Sequence, residues 1–319
     1  MKILVAGGAG YIGSALVPKL LERGYEVTVV DLLWFGNHLP NEAVVIEKNI
    51  IELKEDDLEG HDQVIFLAGL SNDPMAEYSP SQNFVENSAV PAYLAYIAKR
   101  SGVKRFIYGN SCSIYGYAVN ELYDETMPTV SNHPYGISKL QGEVASIQLQ
   151  DDKFSVISLR QGTVSGYSPR MRLDLIVNTM FERAVVGGEI VVNNPAIWRP
   201  ILAIQDAVSG YIRAVEANDG LSGIFNIASG NFTVGEVADY VKSAVQKYLD
   251  IDPVIKIKHI EDYRNYKVSI KKIMDVLSYK PMNNIDSIVK ELSENRNLFN
   301  DYQNKDYYNI RTFKNLFSQ

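Results

Sequence analysis

The chain has 319 residues, 46% of them hydrophobic and 22% charged, with a formal net charge of −7. That length supports a large core in two lobes, and interspersed charge of net negative sign argues against an extended nucleic-acid surface. A lone cysteine, Cys112, excludes an intrachain disulfide and a Cys-rich metal site, and the four histidines have no metal-ligand spacing. The opening MKILVAGGAG lacks the apolar region and cleavage site of a signal peptide, and no apolar run of about 18 residues suggests a membrane span. A soluble cytoplasmic protein with no resident metal is expected.

The first half alternates apolar strand runs with helical patterns. ILVA at 3–6 reads as a strand and runs straight into Gly7-Gly8-Ala9-Gly10-Tyr11-Ile12-Gly13, which opens a helix over 12–23. In this setting Gly7 permits the tight turn, Gly10 admits a pyrophosphate against backbone, and Gly13 lets the helix pack closely on the sheet. The helix N-terminus then offers unpaired N–H groups to phosphates. EVTVV at 26–30 is the second strand and Asp31 follows it, placed to accept hydrogen bonds from an adenosine ribose. A carboxylate there would repel a 2′-phosphate, so NAD is favoured over NADP.

Further strands are expected at 44–47, 64–68, 105–108 and 154–159, with helices over 80–101 and 134–150. Continuous apolar runs suit strands buried on both faces, and their alternation with helices implies a doubly wound parallel sheet. PYGISK, at 134–139, places Tyr135 and Lys139 on one helical face. An ammonium beside a phenol lowers its pKa, which would make Tyr135 a general base for a substrate hydroxyl or an acid for a ketone. Ser111 follows the fifth strand, 24 residues before Tyr135, where a sheet of this type binds ligands. Beyond about 167 the rhythm changes: helices are expected over 173–186 and 234–249, and 201–216 again reads as strand then helix. The division expected is 1–166 for the dinucleotide, with a return near 200–216, and 167–319 as a smaller, interleaved substrate-binding lobe.

GGAGYIG, Asp31, LAG at 67–69, Asn87, SCSIYG, PYGISK and LRQGTVSGYSPR occur in an order that resembles the extended short-chain dehydrogenase/reductases of the nucleotide-sugar epimerase and dehydratase group, UDP-galactose 4-epimerase-like, over nearly the whole chain. The resemblance implies a Rossmann-type α/β fold with NAD held by Gly7, Gly10, Tyr11, Ile12, Gly13, Asp31, Leu32, Asn49, Ile50, Leu67, Ala68, Gly69, Asn87, Tyr135 and Lys139. It gives Tyr135 the role of base, Lys139 its support, and Ser111, with Ser113 as rival, the reacting hydroxyl. Thr163, Asn178, Arg199 and Arg264 are implied as contacts to a nucleoside-diphosphate sugar, the two arginines at its diphosphate. A homodimer through the helices at 80–101 and 134–150 is implied as well.

The implied chemistry is removal of hydride from sugar C4. Dehydratases of the group carry Asp-Glu after the Ser/Thr; Cys112 and Ser113 stand there, which disfavours dehydration. Epimerisation, net 4-dehydrogenation and reduction of a 4-ketone share the same three residues. Gln161-Gly162-Thr163 and Asn49 depart from the epimerase pattern and keep dehydrogenation level with epimerisation. Likeness of the SPRMRLDLIVN region points to a GDP-linked sugar such as a heptose. The competing class is a catalytically silent dinucleotide-binding regulator, which would not need Ser111, Tyr135 and Lys139 together.

Overall fold

The computed structural model describes residues 1–258 and 265–317, with the side chains of 117–120 excepted. In chain order the strands are β1 (Lys2–Ala6), β2 (Glu26–Asp31), β3 (Val44–Glu47), β4 (Gln63–Phe66), β5 (Arg105–Ser111), β6 (Tyr117–Tyr123), β7 (Ser155–Gln161), β8 (Thr163–Ser165), β9 (Glu189–Val192), β10 (Trp198–Ala203), β11 (Gly223–Ile227), β12 (Gly230–Thr233), β13 (Val254–Ile257) and β14 (Asn265–Val268). The helices are α1 (Tyr11–Glu22), α2 (Glu55–Leu58), α3 (Asp73–Tyr78), α4 (Pro80–Phe84), α5 (Val90–Arg100), α6 (Pro134–Ile147), α7 (Ile176–Gly187), α8 (Ile204–Val215), α9 (Val234–Leu249), α10 (Lys271–Leu277), α11 (Ile285–Glu294) and α12 (Asn309–Phe317).

Seven strands form one sheet in the order β11-β7-β5-β4-β1-β2-β3, every neighbouring pair parallel. The fold is α/β of the doubly wound, Rossmann kind. Helices cover both faces, so β4, β5 and β7 are buried along their length up to Phe66, Asn110 and Gln161. The strand order reverses between β1 and β4, and the crevice beyond their carboxyl ends is where such sheets bind ligands.

The later chain folds partly onto this sheet and partly beside it. β10 pairs with β8 in parallel and β12 in antiparallel, and α7, α9 and α11 pack a second core around Phe181, Val237, Ile288 and Leu292. α8 returns to the large sheet, burying Val208, Tyr211 and Ile212 with Leu16 and Leu20 of α1. The helix expected over 80–101 is interrupted: α4 and α5 are joined by a π turn at residues 85–89. The wider turn places Asn87 on the crevice wall.

Candidate active site

A cavity of about 660 Å³ runs along the carboxyl ends of the strands, a size within the about 300–1,000 Å³ usual for small-molecule sites. Gly7, Gly10, Tyr11, Ile12 and Gly13 line one side, together with Asp31 and Leu32, Asn49 and Ile50, and Leu67, Ala68 and Gly69. Asn87, Ser111, Tyr135, Lys139, Thr163 and Arg199 complete the set of expected residues that the fold brings to one cavity.

The glycine turn is shaped for its task. Gly7 has a φ of +79°, and a Cβ there would sit 2.5 Å from the Ala68 nitrogen. Gly10 precedes α1 and has no side chain to cap it, so the helix's first N–H groups face the cavity without competition. Asp31 accepts from Ala9 N–H at 3.0 Å and from Leu33 N–H at 2.9 Å. Each carboxylate oxygen keeps a further lone pair for a ribose hydroxyl. Burial pushes the Asp31 carboxyl up, against those backbone donors. Asn49 caps the turn at 50–52, its Oδ1 accepting from Ile51 N–H.

Asn87 is buried, donating to Leu70 O at 2.9 Å and to Asn83 Oδ1 at 2.7 Å. Its own Oδ1 has no partner among the described residues and lies against Gly69. A buried acceptor on a cavity wall invites a ligand donor. With the uncapped helix at one end, Asp31 beyond it and Ser111 and Tyr135 at the other, these features fit a dinucleotide.

Tyr135, Ser111 and Lys139 converge because α6 comes very close to the turn after β5. A Cβ on Gly136 would lie 2.1 Å from Ser131 Oγ and 2.6 Å from Ser113 O, so the glycine in PYGISK sets that approach. Ser111 ends β5; its Oγ accepts from Ser113 N–H and donates to Ser113 Oγ, each at 3.1 Å, and Tyr135 hydrogen-bonds to it as well. Ser113 also lines the cavity. Lys139 is almost fully buried, donating to Gly109 O at 2.6 Å with its Nζ 4.5 Å from the Tyr108 ring centre.

The electrostatics of this group reverse the expectation of a lowered phenol pKa. Burial pushes Tyr135 up to about 12, the Asp73 charge adds to the rise, and the Ser111 hydrogen bond and Arg172 oppose it. Lys139 does not offset this, because its own burial brings the ammonium down to about 7.

One further expectation changes. Asn178 does not reach the cavity: its Nδ2 donates to Arg172 O at 2.7 Å, Gly166 O and the Tyr11 hydroxyl, and its Oδ1 accepts from Gly166 N–H. The amide's oxygen and nitrogen both tie α7 to the preceding loop and to Tyr11 of α1. Arg264 lies outside the described residues. Arg199 stands on the cavity wall with its guanidinium 5.9 Å from the Tyr266 ring and Nη1 donating to Trp198 O.

Several wall residues had no assigned role in the sequence: Asp73, Tyr266, Asn309, Arg170 and Arg172. The two arginines, in SPRMRLD, are both buried. Cys112 is buried, its Sγ donating to Arg160 O, and burial pushes its thiol up. Among the described residues no helix is long and apolar enough to cross a membrane, and no cluster of His, Cys, Asp and Glu could hold a metal.

A doubly wound sheet, a glycine turn at its switch point and a Ser-Tyr-Lys group on the same crevice define the class of dinucleotide-dependent enzymes. Residues 3–228 match the model of the NAD dependent epimerase/dehydratase family, and the chain belongs to that family, enzymes of the extended short-chain dehydrogenase/reductase type. It is 30% identical to UDP-glucuronic acid decarboxylase 3 of Arabidopsis thaliana, over 88% of this chain and 84% of the relative. It is 27% identical to a UDP-glucose 4-epimerase of Corynebacterium glutamicum, over 75% of this chain and 79% of that one. Among solved structures it is similar to UDP-glucose 4-epimerase with UDP-glucose from Thermotoga maritima, at a TM-score of 0.80 and 26% identity, covering 93% of this chain and 99% of that chain.

Proposed function

We propose that the protein oxidises C4 of a nucleoside-diphosphate sugar, with Tyr135 as the acid/base, Ser111 holding the reacting hydroxyl and Lys139 supporting both. Bound NAD supplies the hydride acceptor. The observation that carries this reading is the meeting of Ser111, Tyr135 and Lys139 on the cavity that also holds the glycine turn. Ser111 Oγ, bonded to Tyr135, gives the sugar proton a path to the phenol oxygen. Lys139 stays within the same enclosure, and its ammonium favours the phenolate once it leaves the Gly109 carbonyl. Arg199, beside Tyr266, is suited to a sugar-nucleotide diphosphate because its forked donors match phosphate oxygens.

The oxidised sugar then has three fates: inversion at C4, release as the ketone, or, run backwards, reduction of a supplied ketone. Dehydration remains disfavoured, since Cys112 is sealed against Arg160 O and its thiol is pushed up. A second reading is loss of CO₂ from a 4-keto uronic acid. It is supported by the decarboxylase relative and by Arg172, whose charge acts on Tyr135 and whose buried Nη2 has no partner among the described residues.

The deciding experiment mixes the enzyme and NAD with UDP-, GDP-, CDP- and dTDP-linked hexoses, heptoses and uronic acids. Reduced-nicotinamide absorbance and NMR of the product are followed together. Inversion at C4 means an epimerase, a 4-ketone with NADH a dehydrogenase, and a pentose with CO₂ a decarboxylase. Tyr135→Phe is expected to slow turnover by about 10²–10⁴-fold; full activity in that variant would overturn the assignment of the base.

We further propose a homodimer. Val85 and Tyr96 on the α4–α5 path and Ile137 and Val144 on α6 are exposed. The two helical runs pack side by side and so offer a joint apolar face.

A further inference from the structure

The last described stretch of the chain closes over the cofactor side of the cavity. α12 buries Phe313 completely in a cluster with Leu70 and Met75, and Trp34 packs on Phe313 and Phe317 with ring centres 6.0 and 5.4 Å apart. The helix thereby ties the loop after β2 to the loop after β4. Its first residue, Asn309, reaches inward. The backbone N–H donates to Asp174 at 3.2 Å, Nδ2 donates to Ser71 Oγ at 2.6 Å, and Oδ1 accepts from Arg170 Nη2.

Arg170 is 2% exposed, with its guanidinium 3.6 Å from the Phe35 ring centre, and its Nε has no partner among the described residues. Arg172, 6% exposed, donates from Nε to Asp174 at 2.8 Å and leaves a buried Nη2 without a partner among the described residues. Asp174 is thus paired with Arg172, and Arg170 feels that carboxylate only at a distance. Burial, then repulsion by Arg172, brings the Arg170 guanidinium down to about 9. Enclosed charge of this kind is costly until an anion joins it. Phe35 and the Asp31 charge set Arg170 on the adenosine side, while Tyr11, 5.9 Å from Arg172, opens the helix that faces the phosphates.

We infer that Arg170 binds the diphosphate of the dinucleotide cofactor, and that Asn309, from the far end of the chain, positions its guanidinium for that contact. The inference rests only on the cofactor half of the proposed function, and its test needs no sugar. Arg170 supplies two N–H donors in a plane, Nε and the free face of Nη2, to phosphate oxygens that the helix N-terminus holds from the other side. Asn309 keeps the fork from swinging out along Phe35.

The test is calorimetric titration of the full chain, stripped of nucleotide, with ADP-ribose and with adenosine, and stopped-flow release of NADH. Arg170→Met is expected to weaken ADP-ribose about tenfold or more and to leave adenosine within about twofold. Asn309→Ala is expected to speed NADH release several-fold, with Arg170→Lys recovering part of the ADP-ribose affinity. Native ADP-ribose affinity in a folded Arg170→Met protein would overturn the inference. So would an equal loss for adenosine, which would mean a collapsed wall. If Arg170→Met fails to fold, Asn309→Ala decides, and unchanged NADH release there sinks the positioning role.

Discussion

The Lys139 ammonium is enclosed, with the Gly109 carbonyl and the Tyr108 ring as its company. Its pKa of about 7 in the folded protein compares with the ordinary 10.5. The folded state therefore binds fewer protons than the unfolded chain between those values, and stability rises with pH across that window. Removing the group should help most where the buried cation costs most. In cofactor-free protein, Lys139→Met is expected to raise the denaturation midpoint over the parent below about pH 7, and the gain should fade as pH approaches 10. A gain that grows with pH would contradict the shift. The same enclosure explains why the sequence misled on Tyr135. Tyr-x-x-x-Lys fixes a shared helical face, but the sequence does not show how deeply that face is buried, and burial sets the sign of the phenol's shift.

α6 owes its position to an acid that no sequence pattern singled out. Glu143 accepts from Arg160 through both carboxylate oxygens, at 2.6 and 3.0 Å, from Asn110 Nδ2 at 2.6 Å and from Ser158 Oγ at 2.7 Å. Arg160 in turn donates to the Tyr115 hydroxyl, and Asn110 Oδ1 holds the Ser111 N–H. The helix bearing Tyr135 and Lys139 is thus joined through one buried carboxylate to the strand bearing Ser111. Glu143→Gln strips the pair of its charge balance and is expected to cost about 3–5 kcal/mol, read as a lower urea midpoint. Replacing both partners, Glu143→Leu with Arg160→Met, should recover most of that, and a double variant as weak as the single would refute the pairing argument. The glycine turn, Asp31 and the parallel strands were legible because φ, charge and apolar periodicity act locally. The π turn that turns Asn87 inward was not, since its residues read as ordinary helix. Asn178 was misread as a ligand contact because a buried amide looks the same in sequence whether its partners are phosphate or backbone. Arg170 and Asn309 stand 139 positions apart, and no spacing rule reaches that far.

At the scale of the molecule, the proposed pairing makes a simple prediction. Tyr96→Glu together with Val144→Glu sets like charges into the apolar face of α5 and α6. Light scattering after gel filtration is expected to find a dimer for the parent and a monomer for this variant, with the fold retained because both side chains are already exposed. A parent that runs as a monomer would end the proposal. The order of the large sheet carries a separate consequence. Its edge strand β11 is also the last of the seven along the chain, beginning at Gly223, long after its neighbour β7 ends at Gln161. While the chain is being made, about sixty residues must leave the ribosome before that neighbour gains its second partner, and until then a strand that is buried along its whole length in the finished fold presents bare N–H and C=O groups on one edge. Synthesis speed and chaperone access during that interval, more than the stability of the finished sheet, would then govern how much of this protein a cell recovers in folded form.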